Sequence, residues 1–202
     1  MDARPSPKHT ARHIHVVGGS GSGKTTLARR LAACLEAPVY DLDEIGYEGG
    51  AGPKRPLEVR LADVARIAAQ PAWVTEGVFL WWTDELLDRA DVIVWLDIPW
   101  RVAAWRIVRR HLGASRAGHN RHPGLRRLIR FLLWVRAYHT ATAPAPPTAP
   151  DDDSAVNRAA TAAHLAPYSS KLVHCRRPSD VTAFLGASGC HRARKPGSVD
   201  SL

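Results

Sequence analysis

Residues Ile14 to Thr26 read IHVVGGSGSGKTT, a short β-branched apolar run that breaks into a glycine-rich loop ending in Gly23-Lys24-Thr25. From Gly18 to Thr25 the stretch fits the pattern G-x-x-x-x-G-K-[ST]. Its flanks are the ones this pattern requires, a strand-like run before it and a helix-like run from Lys24 to Glu36 after it. Gly18, Gly21 and Gly23 allow the backbone to wrap a polyphosphate with its N–H groups at the positive end of the following helix. Residue by residue, the expected cradle is Gly18, Gly19, Ser20, Gly21, Ser22, Gly23, Lys24, Thr25 and Thr26. In this P-loop, Lys24 reaches the β and γ phosphates of ATP, and the Thr25 hydroxyl is a Mg²⁺ ligand. A Gly/Ser linker that merely contained Lys-Thr would lack the flanking strand and helix.

Outward from the loop, apolar runs and helical spacing alternate. Strand patterns occur at Ile14–Val17, Pro38–Asp41, Ala72–Thr75, Val92–Leu96 and Lys171–Cys175. Between them lie helical patterns at Lys24–Leu35, Leu57–Ala69, Asp84–Arg89, Trp100–Leu112 and Leu125–Tyr138, with a last helix from Pro178 to Leu185. This order predicts an α/β fold of the P-loop three-layer sandwich type, a central parallel sheet of about five strands with helices on both faces. Residues 13–187 are expected to form that domain, with a short lid over about 113–124 and a flexible loop over about 140–167. The stretch 1–12 reads as a disordered arm and 188–202 as a disordered basic tail, because neither can bury enough apolar surface to offset ordering entropy.

A chain of 202 residues with 45% hydrophobic content suits one domain with a sizeable core. No apolar stretch reaches the roughly 20 residues that span a bilayer, so no membrane partner is expected. Cys34, Cys175 and Cys190 lack C-x-x-C spacing, which argues against a disulfide framework and a zinc site and favours a cytoplasmic location. The net charge of +9 is unevenly placed. No Asp or Glu occurs from Ile98 to Pro150, a stretch holding Arg101, Arg106, Arg109, Arg110, Arg116, Arg121, Arg126, Arg127, Arg130 and Arg136. Such a block holds anionic ligands, lies on a polyanion such as nucleic acid, or is a solvated basic helix face. Nothing in the sequence sets the oligomeric state.

Ligands of open α/β sheets collect at the carboxyl ends of the strands. There the sequence places Asp41-Leu-Asp43-Glu44, Glu76-Gly77 and Asp97-Ile-Pro99. These carboxylates suit orienting Mg²⁺ or accepting a proton from an acceptor hydroxyl, with a turn or helix-cap role as the alternative for Asp97. Arg106 and Arg110, four apart, project from one helix face. His119 and His122 are three apart without a cysteine nearby, a weak metal pattern. Trp81 and Trp82 are either core or the lining of an acceptor pocket.

The segment Leu96-Asp-Ile-Pro99, followed by Trp105-Arg106 and Arg109-Arg110, resembles the adenylate kinase and nucleoside monophosphate kinase superfamily. The resemblance implies that Arg106 and Arg110 hold nucleotide phosphates and the transferred phosphoryl group, and that lid arginines such as Arg116 and Arg121 close over them. Over roughly Ile14 to Leu185 the chain is most similar to the adenylate-kinase-like group labelled DNA topology modulation proteins. Two departures concern the acceptor. Glu76-Gly77 runs into Val78-Phe79-Leu80-Trp81-Trp82 where adenylate kinases carry a clamping arginine, and Asp41-Leu-Asp43 replaces the arginine after the second strand. The acidic pair looks more like shikimate and gluconate kinases, which phosphorylate hydroxyls.

The expectation is an ATP-dependent kinase acting on a small acceptor, a hydroxyl compound or a nucleoside or nucleotide. Lys24, Asp43, Arg106 and Arg110 are its catalytic candidates, and Thr25, Asp43 and Glu76 its Mg²⁺ ligands. Asp41 is the alternative to Asp43. The rival reading is a nucleic-acid-associated ATP-binding regulator resting on the basic block.

Overall fold

The computed structural model describes residues 11–118, 124–144, 147–149 and 151–190. Its five strands are β1 (His13–Val17), β2 (Val39–Asp41), β3 (Trp73–Gly77), β4 (Val92–Leu96) and β5 (Leu172–Cys175). They form one parallel sheet in the order β2-β3-β1-β4-β5. Parallel strands covered on both faces need apolar side chains in both directions, which is why the strand runs are nearly continuous in hydropathy. The two faces separate by alternation. Ile14, Val16, Val74, Val94 and Leu96 pack with Leu27, Leu31 and Leu185 on one side. Val17, Trp73, Ile93 and Trp95 pack with Leu42, Val64, Ile67 and Leu86 on the other.

The helices are α1 (Lys24–Leu35), α2 (Leu42–Gly46), α3 (Leu57–Ala68), α4 (Asp84–Arg89), α5 (Trp100–Arg116), α6 (Leu125–Thr140), α7 (Arg158–Leu165) and α8 (Pro178–Ala187). Helix α1 buries Leu27, Ala28, Leu31 and Ala32, the stripe its spacing predicts. Helices α5 and α6 pack on each other through Ile107, Leu128 and Val135. The α/β three-layer sandwich is therefore as expected.

Three expectations are corrected. Cys34 and Cys190 form a disulfide, while Cys175 is free and buried. The cysteine spacing missed it because the bond spans a sequence separation of 156 and is created by packing. The core cluster that holds α1 against the sheet also takes in Leu185 of α8 and Cys190. The cysteines therefore give no support to a reducing compartment. The stretch 140–167 is not one loop, since Asn157 accepts from the Ala160 N–H at 2.8 Å and starts α7, which buries Ala160, Thr161 and Leu165. An Ala-rich segment reads as low complexity, yet one cap and one buried Leu anchor it here. Gly113 to Arg116, assigned to the lid, are the last turn of α5. Of the other lid positions, Ala117 and Gly118 form the turn after α5 and Gly124 precedes α6, while 119–123, with His119, Arg121 and His122, lie outside the described residues, as do 1–10 and 191–202.

Helix α2 is an addition to the reading. Asp41 caps it by accepting from the Asp43 N–H at 2.9 Å, and Leu42 and Ile45 bury beneath it.

Candidate active site

Register brings the chemistry to one edge. In the parallel pairing, Val17 of β1 lies opposite Gly77 and Asp41 of β2 opposite Glu76, so the P-loop leaves β1 level with both acidic strand ends. The loop itself needs its glycines. Gly21 has φ +81°, and a Cβ there would sit 2.7 Å from the Ala103 carbonyl oxygen of α5. Gly23 at φ +97° is the N-cap of α1, whose first N–H groups have no partners within the helix. Helix α5 locks the loop from outside, as the Arg106 guanidinium donates to the Ser22 carbonyl at 2.7 Å. Tyr138 of α6 closes on the opposite side, where a Cβ at Gly19 would lie 2.9 Å from its ring.

Within this edge Lys24 Nζ stands 3.3 Å from Glu76 Oε2. Glu76 is 1% exposed, and neither carboxylate oxygen has a hydrogen-bond partner. The buried Ser22 hydroxyl is also unpartnered. Buried acceptors without partners are costly, so a site that keeps them is shaped for groups that arrive with a ligand. Asp43 stands half-buried near the same group. Desolvation raises its pKa, the charge of Lys24 works against that rise, and Asp41, Glu76 and Asp153 reinforce it. Thr25 is half-buried in the first turn of α1, while Thr26 is exposed. Arg110, one turn beyond Arg106, is exposed too. Trp82 is buried against Phe79 (ring centroids 4.9 Å apart), so it is core. Trp81 is half-buried and holds φ 61°, an unfavourable conformation for a bulky residue.

A second buried carboxylate lies on the other side of β1. Asp97, just past β4, accepts two 2.7 Å bonds from Arg158 of α7 and is 2.9 Å from His174 Nε2 of β5. His174 in turn stacks on Trp95 at 4.2 Å. Burial alone would raise the Asp97 carboxyl, but the hydrogen bonds and charges of Arg158 and His174 outweigh it and hold it below the usual range. Pro99, not Asp97, occupies the N-cap of α5, so Asp97 is an ion clamp and not a helix cap. A cavity of about 390 Å³ opens beside this clamp, lined by Trp100, His139, Arg158 and Arg176 among others.

Several residues of this edge carry no local signal in the sequence. Arg158 is 61 positions from Asp97, and Asp153 is 106 from Tyr47, whose hydroxyl donates to it at 3.0 Å. Arg60 of α3, 1% exposed, donates to the Arg55 carbonyl and to Asp151, and its guanidinium lies 5.1 Å from the Trp82 ring centroid. Lys54 bridges Asp151 and Asp153 at 3.2 and 2.8 Å. These two acidic residues tie the segment before α7 to Tyr47 and Lys54, which follow α2, and to Arg60 of α3.

No protein-family model matches the chain, and no curated protein is similar in sequence. Among solved structures, a gluconokinase from Sinorhizobium meliloti is 17% identical with a TM-score of 0.45, covering 89% of this chain and 94% of its own. A shikimate kinase from Bacteroides thetaiotaomicron is 14% identical with a TM-score of 0.47, covering 88% and 98%. A shikimate kinase from Acinetobacter baumannii, solved with shikimate, is 23% identical with a TM-score of 0.39, covering 63% and 76%. Likenesses this distant say nothing of activity, and the functional reading rests on the geometry of the edge itself. Among the described residues, no helix is long and apolar enough to cross a membrane.

Proposed function

We propose that this chain is a small-molecule kinase that transfers the γ-phosphoryl group of ATP to a hydroxyl of a small acceptor. Its resemblance to the adenylate-kinase-like DNA topology modulation group implies the fold and ATP binding, and the acidic pair Asp41-Leu-Asp43 resembles shikimate and gluconate kinases. The observation that carries the reading is the buried Glu76, ion-paired with Lys24 at the mouth of a P-loop and accepting no hydrogen bond on either oxygen. The α1 N-terminus and the loop N–H groups bind the phosphates, and Lys24 neutralises charge on the β and γ groups. Arg106 serves by holding the loop through Ser22, with a second donor face free to meet phosphate; Arg110 would join only after a movement of the lid. The cavity beside Asp97 is where the nucleoside would extend, between Trp100 and Arg176.

Thr25 and Glu76 fit a Mg²⁺ ion, since the carboxylate is buried and its oxygens are unpartnered. No three His, Cys, Asp or Glu side chains among the described residues gather to hold a metal by themselves. A magnesium ion of this kind takes few protein ligands and the rest from phosphate and water. When bound it neutralises the phosphoryl oxygens. Asp43 takes the acceptor's proton, its basicity raised by burial and by the neighbouring carboxylates. A hydroxyl gains from such a base, whereas a phosphate acceptor does not need one.

A screen of sugars, polyols, hydroxy acids and nucleosides, coupled to ADP release, tests the reading. Turnover of one hydroxyl acceptor that is lost in Lys24→Ala is the expected result. Calorimetry should show at least a tenfold loss of Mg-ATP affinity in that variant, about 1.4 kcal/mol. Equal affinity in both proteins would sink the P-loop assignment, and efficient phosphorylation of AMP surviving Asp43→Asn would reverse the choice of acceptor.

A further inference from the structure

The inner face of α5 is spent on the loop, through Ala103, Arg106 and Ile107. Its outer face is not. Arg101, Trp105, Arg109, Leu112 and Arg116 recur at intervals of four, four, three and four, which places them in one stripe along the helix, and all five are exposed. Trp105 is 59% exposed, and the Arg109 guanidinium lies 4.8 Å from its ring centroid. The partner helix α6 exposes Arg126, Arg127 and Arg130 with Trp134, itself 59% exposed, whose ring stacks on Phe131 at 5.9 Å, and it also exposes Leu125, Ile129 and Leu133. No carboxylate occurs anywhere from Ile98 to Pro150 to neutralise these cations.

We infer that the outer face of the α5–α6 pair binds single-stranded nucleic acid, with the arginines on phosphates and Trp105 and Trp134 as platforms for unpaired bases. This is a separate activity from the kinase and does not depend on it, because the stripe lies on a different face of α5 from Arg106. Charge complementarity selects a polyanion. A second copy of this surface would oppose arginine to arginine. A bilayer favours apolar residues segregated on one face; each Trp or Leu of the α5 stripe is instead flanked by arginines, while α6 also exposes Leu125, Ile129 and Leu133, which makes the vesicle arm of the test a discriminating one. A duplex hides the base faces that exposed indole rings would meet, while single strands offer them at every position, and alternating cations and aromatics are the arrangement that exploits this.

The test is fluorescence anisotropy of an oligothymidylate of about 20 nucleotides, longer than the roughly 4–16 nucleotides such a surface covers. It is measured with the full chain between about 50 and 200 mM salt, and repeated with a duplex and with phosphatidylserine vesicles. Binding of the single strand should fall steeply with salt. The exposed triple variant Arg101→Gln/Arg109→Gln/Arg130→Gln should flatten the log–log salt slope by about 2, at roughly 0.7 per lost phosphate contact. Trp105→Ala should weaken binding at least about fivefold while leaving the slope alone. Circular dichroism and Mg-ATP affinity equal to those of the parent protein would show that both variants fold. Absent binding at low salt, an unchanged slope in the triple variant, or a preference for the duplex or the vesicles would each overturn the inference.

Discussion

Two buried carboxylates flank the P-loop strand, and they are treated in opposite ways. Asp97, 8% exposed past β4, is saturated by Arg158 and His174. Glu76, 1% exposed at the end of β3, faces Lys24 yet lacks a hydrogen bond on either oxygen. A paired carboxylate holds elements together, here α7 and β5 to β4. A carboxylate with an ion pair but no hydrogen bond on either oxygen is left incompletely satisfied, at a cost in folding energy. The difference separates a fully hydrogen-bonded carboxylate from one that accepts no hydrogen bond, where position along the sheet would not.

The comparison can be broken most sharply at Lys24. Lys24→Ala should lower kcat by roughly 10³-fold, about 4 kcal/mol, because the cation is lost where charge develops in transfer. Stopped-flow or coupled-assay turnover comparable to the parent protein would mean that the unpaired edge is not catalytic.

The two carboxylates should then respond with opposite signs. Asp97→Ala leaves Arg158 and His174 without their partner, and should cost about 3 kcal/mol in urea-unfolding experiments. Glu76→Gln removes a buried charge that is ion-paired with Lys24 but accepts no hydrogen bond. It should leave stability unchanged or higher while turnover falls. If both variants lost stability alike, Glu76 would be as structural as Asp97.

Asp43→Asn should lower kcat by roughly 10²-fold with little change in the Mg-ATP dissociation constant, the signature of a proton acceptor and not of a nucleotide ligand. A rise in that constant with kcat unaltered would assign Asp43 to the nucleotide instead.

The smallest effect sharpens the comparison by its exception. His15 of β1 bonds Thr75 Oγ1 through Nδ1 at 2.7 Å, but its buried Nε2 has no partner. Burial, with a smaller contribution from His164, lowers its pKa to about 4. The folded pKa lies below the unfolded value near 6.5, so the unfolded chain binds the proton first, and stability is lost as pH falls from about 6.5 toward 4. Between pH 7 and pH 5 that amounts to roughly 2 kcal/mol. The loss should be absent in His15→Asn, which unfolding curves at the two pH values would reveal; an equal loss in both proteins would place the acid lability elsewhere. An unpaired group in mid-strand, out of reach of any ligand, is thus a pH liability and not a site.

Much of the candidate site was legible because its residues lie close together along the chain. The residues of the P-loop, Lys24 and Thr25 are contiguous, and Asp41, Asp43 and Glu76 announce themselves as acidic residues following apolar runs. Arg106 also stood out, though its bond to the Ser22 carbonyl did not. The sequence by itself determined the parallel α/β order, since alternation of apolar runs and helical stripes is a property of neighbours along the chain. Only tertiary structure decided which of the strand-end carboxylates is neutralised. Asp153 and Arg158 reach the edge from within the stretch read as a flexible loop and His174 from beyond it, and Cys34 meets Cys190 across a separation of 156 residues. Hydropathy and spacing record what each segment must bury. They do not record which distant side chain arrives to pair a buried charge, and that pairing is what distinguishes Asp97 from Glu76.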